Sequence, residues 1–210
     1  NKIPEMGLLI DISTSSITDT IADSTGSNPL NEKLEKILSI AHEKGLISDA
    51  IICKNENERN QLWHIRESAA ESEKKELEKS SAIKCLKHDI SLPTKNIEKF
   101  HIEAQKMINK NIVGTRTIYF GHLGDGNLHY NIFGNGELPD GFGNKSIKIT
   151  DNLYEIVKSF DGSFSAEHGI GQLRKKSLML HKDPVAYSLM KTIKKQFDPN
   201  NIMNPEKIFV

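Results

Sequence analysis

Long apolar runs and an excess of charge of one sign are both missing from this sequence of 210 residues. No stretch reaches the about 18 apolar residues that a membrane-spanning helix needs. The 28 Lys and Arg residues are balanced by 28 Asp and Glu residues, so no net positive charge favours binding to a polyanion. We therefore expect neither a transmembrane segment nor a nucleic-acid partner.

Cysteine is scarce as well. Cys53 and Cys85 each lie in an apolar run, which favours buried free thiols in a reducing compartment and leaves a disulfide as the alternative. The first residues, NKIPEMGLLIDIS, lack an initiator Met and the segment order of a signal peptide, which indicates that the chain begins within a larger protein. The expected location is the cytoplasm or the periphery of a membrane.

The hydrophobic periodicity alternates between helix and strand along the chain. Because two of the strands flank a tight turn, we predict an α+β fold of ferredoxin-like type, with a largely antiparallel sheet and helices packed on one face. The charged end of the second helix is expected to be solvated. The predicted helices are 28–45, 55–80, one capped by Thr94, 146–160 and one capped by Asp183, and the predicted strands are 7–13, 49–54, 82–93, 115–123 and 128–134.

The segment GHLGDGNLHYN, residues 121–131, carries two histidines around a glycine-rich turn. Asp125-Gly126 is typical of a two-residue hairpin turn, which would place His122 opposite His129 on one face of the sheet. Such a pair could share a metal ion, and Asn131 would lie on the same face. The alternative is a pair of surface histidines beside a polar hairpin.

A carboxylate that could complete this site occurs in SAEHGIG, residues 165–171. Glu167 with the two histidines would suit catalytic Zn²⁺ or non-haem Fe(II), and His168 lies beside it. Arg66 and Lys87 are cations placed for an anionic ligand, although Lys87 could equally be structural. His88 is expected in the core. The remaining histidines are expected at the surface: His42, His64, His101 and His181.

Five segments in this order and spacing resemble the C-terminal domain of the FAD-linked oxidases, a family of D-lactate dehydrogenase, glycolate oxidase and D-2-hydroxyglutarate dehydrogenase type. They are LWHIRE, KHDISLP, GHLGDGNLHYNIF, SAEHGIGQLRKKSL and FDPNNIMNP. The resemblance covers residues 1–210 as one substrate- and metal-binding domain. It also implies an FAD-binding domain that precedes this domain and is absent from the sequence, which contains no G-x-G-x-x-G fingerprint.

By resemblance, His122, His129 and Glu167 are the ligands of Zn²⁺ or another divalent metal. His168 is then the catalytic base that takes the proton of the substrate's 2-hydroxyl group. These assignments come from the family pattern and not from the spacing of the four residues.

The same resemblance assigns residues to the substrate and the flavin. Arg66 and Asn131 would hold a 2-hydroxy-carboxylate, Lys87 would reach a distal carboxylate in the hydroxyglutarate enzymes, and Asn204 would lie near the FAD. The implied function is the substrate- and metal-binding part of a flavin-dependent D-2-hydroxy-acid dehydrogenase, inactive without its FAD-binding domain or subunit. The alternatives are a metal-dependent hydrolase and a non-catalytic remnant or binding module.

Overall fold

The computed structural model describes residues 6–24, 27–78, 84–134, 142–143 and 145–209. The chain forms two compact units, Asn1–Ser72 and Glu73–Val210. The helix α2, Glu56–Glu78, contains the boundary between them.

The described residues of the N-terminal unit form helices and loops but no strand. A short 3-10 helix, Ile17–Thr20, precedes α1, Pro29–Glu43. The α1 helix begins where the sequence predicts, because the side chain of Asn28 accepts the N–H of Asn31 and Pro29 stands at the first helical position.

The two strands predicted in this unit, 7–13 and 49–54, are wrong, since neither segment forms a strand. Their apolar side chains are largely exposed, with 63% of Leu8 and 75% of Ile51 accessible to solvent. An alternating pattern forms a strand only where another strand accepts its backbone hydrogen bonds.

The C-terminal unit contains the predicted antiparallel sheet. Strands β1, Cys85–Ser91, β2, Arg116–His122, and β3, Asn127–Phe133, lie in the order β1-β3-β2, and β3 is antiparallel to both neighbours. A single bridge joins Ser91 to Ser163. The α+β class is therefore confirmed. The helices of this unit are α3, Ile97–Asn111, α4, Lys145–Ser159, α5, Lys175–His181, and α6, Pro184–Phe197.

The core lies on one face of this sheet, under α3 and α4. The side chains of even-numbered residues in β1 and β3 point into it, as strand alternation requires. Burial of their apolar surface stabilises the fold by about 25 cal/mol per Å². The central residues are Ile90, Leu128, Tyr130, Ile132, Phe100, Ala104, Ile108, Ile149, Leu153 and Val157.

The sequence predicts particular positions for His88, His181 and Thr94, and the structure agrees only for His88. His88 lies in the core as predicted, between the carbonyl oxygen of Tyr130 at 3.0 Å and the hydroxyl of Thr150 at 3.1 Å, and burial lowers its pKa to about 4. His181 was expected at the surface, but it is buried and its Nδ1 lies 3.0 Å from Glu155. Thr94 does not cap α3; its hydroxyl donates to the carbonyl oxygen of Leu123.

Candidate functional site

The hairpin that carries the two histidines has a different register from the predicted one. His122 pairs with Asn127, and His129 pairs with Phe120, so the histidines are diagonal neighbours and not direct partners. The connection is a 3-10 turn, Leu123–Asp125, followed by Gly126 in the left-handed region at φ 70°. Because the register differs by two residues, both imidazoles still lie on one face.

That face is the polar side of the sheet, opposite the core. Asp89 on β1 pairs with His129 on β3, and Ser91 pairs with Asn127. Strand alternation therefore brings two buried polar side chains, Asp89 and Asn127, next to the histidines.

The segment 163–168 runs along the outer edge of β1 and brings Glu167 and His168 to this face. Ser163 exchanges backbone hydrogen bonds with Ser91, and the N–H of Ala166 donates to the carbonyl oxygen of Asp89. The Asp89 Oδ2 atom then accepts the N–H of Glu167 at 3.0 Å and of His168 at 2.9 Å. One buried carboxylate thus holds both residues in place.

The pKa of Asp89 is lowered even though the side chain is buried. Burial alone would raise its pKa, but the backbone N–H groups of His168 and Glu167, together with the nearby His168 and Arg174, lower the pKa below the ordinary 3.8. Arg174 NH1 lies 3.5 Å from Asp89 Oδ2 and also donates to Ser165.

Glu167 lies near both of the histidines that are predicted to bind a metal with it. Glu167 Oε1 lies 3.3 Å from His122 Nδ1, and Glu167 Oε2 lies 3.9 Å from His129 Nε2. The side-chain amide of Asn127 donates to Glu167 Oε1 and orients that carboxylate. Two imidazoles and a carboxylate are a donor set that suits Zn²⁺ or another divalent transition metal.

A second donor set shares His129 with the first. Asp89, His129 and His168 each offer one ligand atom, and these atoms lie within 4.8 Å of one another. Asp89 Oδ1 and Asn127 Oδ1 are buried and have no hydrogen-bond partner among the described residues. Unpartnered buried oxygens beside imidazole rings fit a cation, so both sets are chemically suited to a divalent ion.

His168 combines exposure with a buried anionic neighbour. Its ring stacks on that of His129, with the centroids 5.6 Å apart, and its side chain is 61% exposed. Its Nδ1 lies 3.5 Å from Asp89 Oδ2. A carboxylate on the Nδ1 side favours the tautomer that leaves Nε2 free to accept a proton.

The predicted substrate residues are divided between the two units. Lys87 and Asn131 pair across β1 and β3 on the polar face, and both contact Glu73 of α2. Arg66 belongs to the N-terminal unit. Asn204 lies in the exposed C-terminal loop at φ 47°. The roles assigned to these four residues stay predictions.

Sequence reasoning missed three residues of the polar face: Asp89, Asn127 and Glu73. Asp89 had a usable signal, because it follows Lys87 by two residues in the same strand and must share its face. Glu73 had none, because its helix segment is charged throughout and was expected to be solvated, whereas Glu73 is only 5% exposed.

Within the described part of the chain, the structure has no helix with the length and apolar character needed to cross a membrane.

The relatives that this chain resembles are 2-hydroxy-acid dehydrogenases by name. The chain is 34% identical over 207 residues to the mitochondrial D-2-hydroxyglutarate dehydrogenase of Arabidopsis thaliana. The alignment covers 96% of this chain and 34% of that protein. It is 33% identical to the D-2-hydroxyglutarate dehydrogenase of Stutzerimonas stutzeri, over 80% of this chain and 35% of the relative.

A relative with another name matches at the same level. The chain is 33% identical to a putative mitochondrial D-lactate dehydrogenase of Schizosaccharomyces pombe, over 89% of this chain and 36% of the relative. The chain therefore spans about a third of the length of these relatives.

A family model described as "FAD linked oxidases, C-terminal domain" matches residues 21–208, which cover most of both units and include every predicted site residue. The chain belongs to the family of the C-terminal domains of FAD-linked oxidases.

Proposed function

We propose that this chain is the metal- and substrate-binding part of a flavin-dependent D-2-hydroxy-acid dehydrogenase. The observation that carries the proposal is the convergence of Glu167 on His122 and His129, with His168 stacked beside them. Membership of the FAD-linked oxidase family favours this reaction over the hydrolase and binding-module alternatives.

The residues of the polar face match the chemistry that the reaction requires. Oxidation of a 2-hydroxy acid to a 2-oxo acid removes the hydroxyl proton and a hydride from C2. His122, His129 and Glu167 would hold a divalent ion, which would supply the Lewis acidity that lowers the pKa of the 2-hydroxyl group. Bound FAD would supply the two-electron acceptor for the hydride.

His168 is the proposed base. Its exposed ring can reach a substrate above the polar face, and Nε2 takes the hydroxyl proton. The Asp89 carboxylate beside Nδ1 then stabilises the imidazolium that forms, as the aspartate of a catalytic triad does.

The remaining predicted residues orient the acid or the flavin. Arg66 would clamp the substrate carboxylate, Asn131 and Lys87 would line the polar face beside it, and Asn204 would lie near FAD. An FAD-binding domain or subunit would supply the flavin, and we expect turnover to need that part. The electron acceptor and the cytoplasmic location stay predictions.

The metal content of purified variants tests the donor set. We expect about one Zn²⁺ per chain after loading and dialysis, measured by mass spectrometry of the metal. His122→Ala and Glu167→Gln should each weaken Zn²⁺ affinity by about 10–100-fold or more, because each removes a ligand. His168→Ala and Asp89→Asn should keep the metal, and the exposed His42→Ala is the matched control.

The two donor sets give opposite patterns in this experiment. Loss of Zn²⁺ from His168→Ala and Asp89→Asn, with retention in His122→Ala and Glu167→Gln, would assign the ion to Asp89, His129 and His168 and remove His168 as the base. Full Zn²⁺ retention in all four variants would contradict a metal site on this face.

A further inference from the structure

The polar face of the sheet carries two Lys or Arg side chains, and both are paired with acidic residues of α2. Lys87 Nζ lies 3.3 Å from Glu73 Oε2, and Arg116 NH2 lies 2.8 Å from Glu76 Oε1. Register places Lys87 and Arg116 on the same face, since they align with Asn131 and Phe133 of β3. Carboxylates from one side of a single helix therefore neutralise both cations.

The side chain of Glu73 is more deeply buried than that of Glu76. Its side chain is 4% exposed, whereas that of Glu76 is 34% exposed. Both of its oxygens are engaged, because the amide of Asn131 donates to Oε1 while Lys87 donates to Oε2. A buried carboxylate with two such partners is costly to leave unpaired, so it holds Lys87 and Asn131 strongly.

The positions of Lys87 and Asn131 show where Glu73 lies relative to the two donor sets. Asn131 follows His129 by two residues, and Lys87 precedes Asp89 by two, so both lie one step along the same face. A ligand centred on His129 and His168 would extend its far end towards Lys87, Asn131 and the Glu73 carboxylate. A second negative charge at that end would approach the Glu73 carboxylate. Lys87 would not offset the repulsion fully, because it is already paired with Glu73.

We propose that Glu73 is a specificity-determining residue that selects 2-hydroxy acids with a single carboxylate and a small uncharged side chain over 2-hydroxy dicarboxylates. This inference rests on the proposed function of the polar face. A dicarboxylate would either lie against Glu73 as a like charge or displace it from Lys87 and Asn131. Both arrangements weaken binding relative to a monocarboxylate, which brings no second negative charge to Glu73.

The test compares D-lactate with D-2-hydroxyglutarate as probes, by titration calorimetry on the Zn²⁺-loaded chain. Glu73→Gln keeps the shape and a carbonyl acceptor for Asn131, but it frees the charge of Lys87. We expect this variant to bind D-2-hydroxyglutarate about tenfold more tightly than the unmodified chain does, with D-lactate affinity changed less than about threefold.

Three further variants separate charge from shape. Glu73→Asp keeps the charge and should keep the unmodified preference between the two acids. Glu76→Gln, one helical turn further on, frees Arg116 instead and should leave the preference unchanged within about threefold. Glu73→Met provides a second neutral side chain if Glu73→Gln does not fold, as judged by circular dichroism.

The outcomes distinguish this inference from the proposed function. If both acids bind and neutral variants at position 73 leave their affinity ratio unchanged, Glu73 does not determine specificity, while the proposed function stands. If neither acid binds any folded, Zn²⁺-loaded variant, the substrate-binding role of the face is contradicted and the inference with it.

Discussion

At the scale of single residues, Cys85 shows how the polar face changes the chemistry of a side chain. Its thiol lies at the start of β1, partly buried and not in a disulfide. Burial is the main cause that raises its pKa from 9.0 to about 12, the Glu73 carboxylate raises it further, and Lys87 partly opposes them. Since only the thiolate is nucleophilic, the raised pKa should suppress its reactivity.

We predict that Cys85 in a Cys53→Ser variant reacts with iodoacetamide about 10²-fold more slowly at pH 8 in the folded than in the urea-unfolded chain. The thiolate fraction falls by about 10³-fold, and the greater nucleophilicity of a more basic thiolate recovers part of this. The folded rate should keep rising about tenfold per pH unit between pH 8 and 10. A plateau near pH 9 would contradict the raised pKa.

The histidines and the glutamate of the candidate site could be predicted from the sequence. The buried carboxylates that hydrogen-bond to residues of the site could not. His122, His129, Glu167 and His168 stand in two motifs, GHLGDGNLH and AEHG, that match the pattern of the FAD-linked oxidases. Asp89 and Glu73 are carboxylates whose importance depends on burial and on partners 58 to 79 residues away. No local pattern specifies such a partner, because the contact is created by strand pairing and by the placement of α2.

At the scale of elements, the hairpin shows which part of a register can be predicted. Asp125-Gly126 does mark the turn between β2 and β3, but the connection contains four residues and not two. Asp125 stabilises this longer turn, because its Oδ1 atom accepts the N–H of Asn127. The face of each histidine was predicted correctly because the error in register was an even number of residues.

We predict that Gly126→Ala destabilises the protein by about 2–4 kcal/mol. Gly126 has φ 70°, and an added Cβ would overlap the carbonyl carbon and oxygen of Leu92, whose own N–H donates to the Gly126 carbonyl oxygen. The free energy of unfolding in urea measures the effect.

Gly124 in the same turn provides the matched control for this substitution. It has no positive φ, and an added Cβ would meet no atom within 4 Å. Gly124→Ala should therefore change the free energy of unfolding by less than about 1 kcal/mol. Equal destabilisation by the two substitutions would show that the turn does not depend on the conformation of Gly126.

At the scale of the whole molecule, burial is unevenly distributed along the chain. Every buried apolar residue of the described structure belongs to the C-terminal unit, from Ile90 to Leu178. The strands predicted at 7–13 and 49–54 do not form, because no strand pairs with either segment. Local periodicity gives the type of an element, whereas tertiary pairing decides whether it forms.

This distribution leads to a prediction for hydrogen exchange, because α1 and α3 are both 15 residues long and differ in burial. The α1 helix has no buried residue, whereas α3 buries Phe100, Ala104 and Ile108. Amide protection follows the free energy of local opening, which is small for a helix without buried contacts. Mass spectrometry of deuterated peptides should therefore show α3 exchanging roughly 10³-fold more slowly than α1 at neutral pH.

Peptides from β3 serve as the internal reference, since they should exchange as slowly as α3. Equal protection of α1 and α3 would mean that the two units unfold together, and it would contradict a core confined to the C-terminal unit.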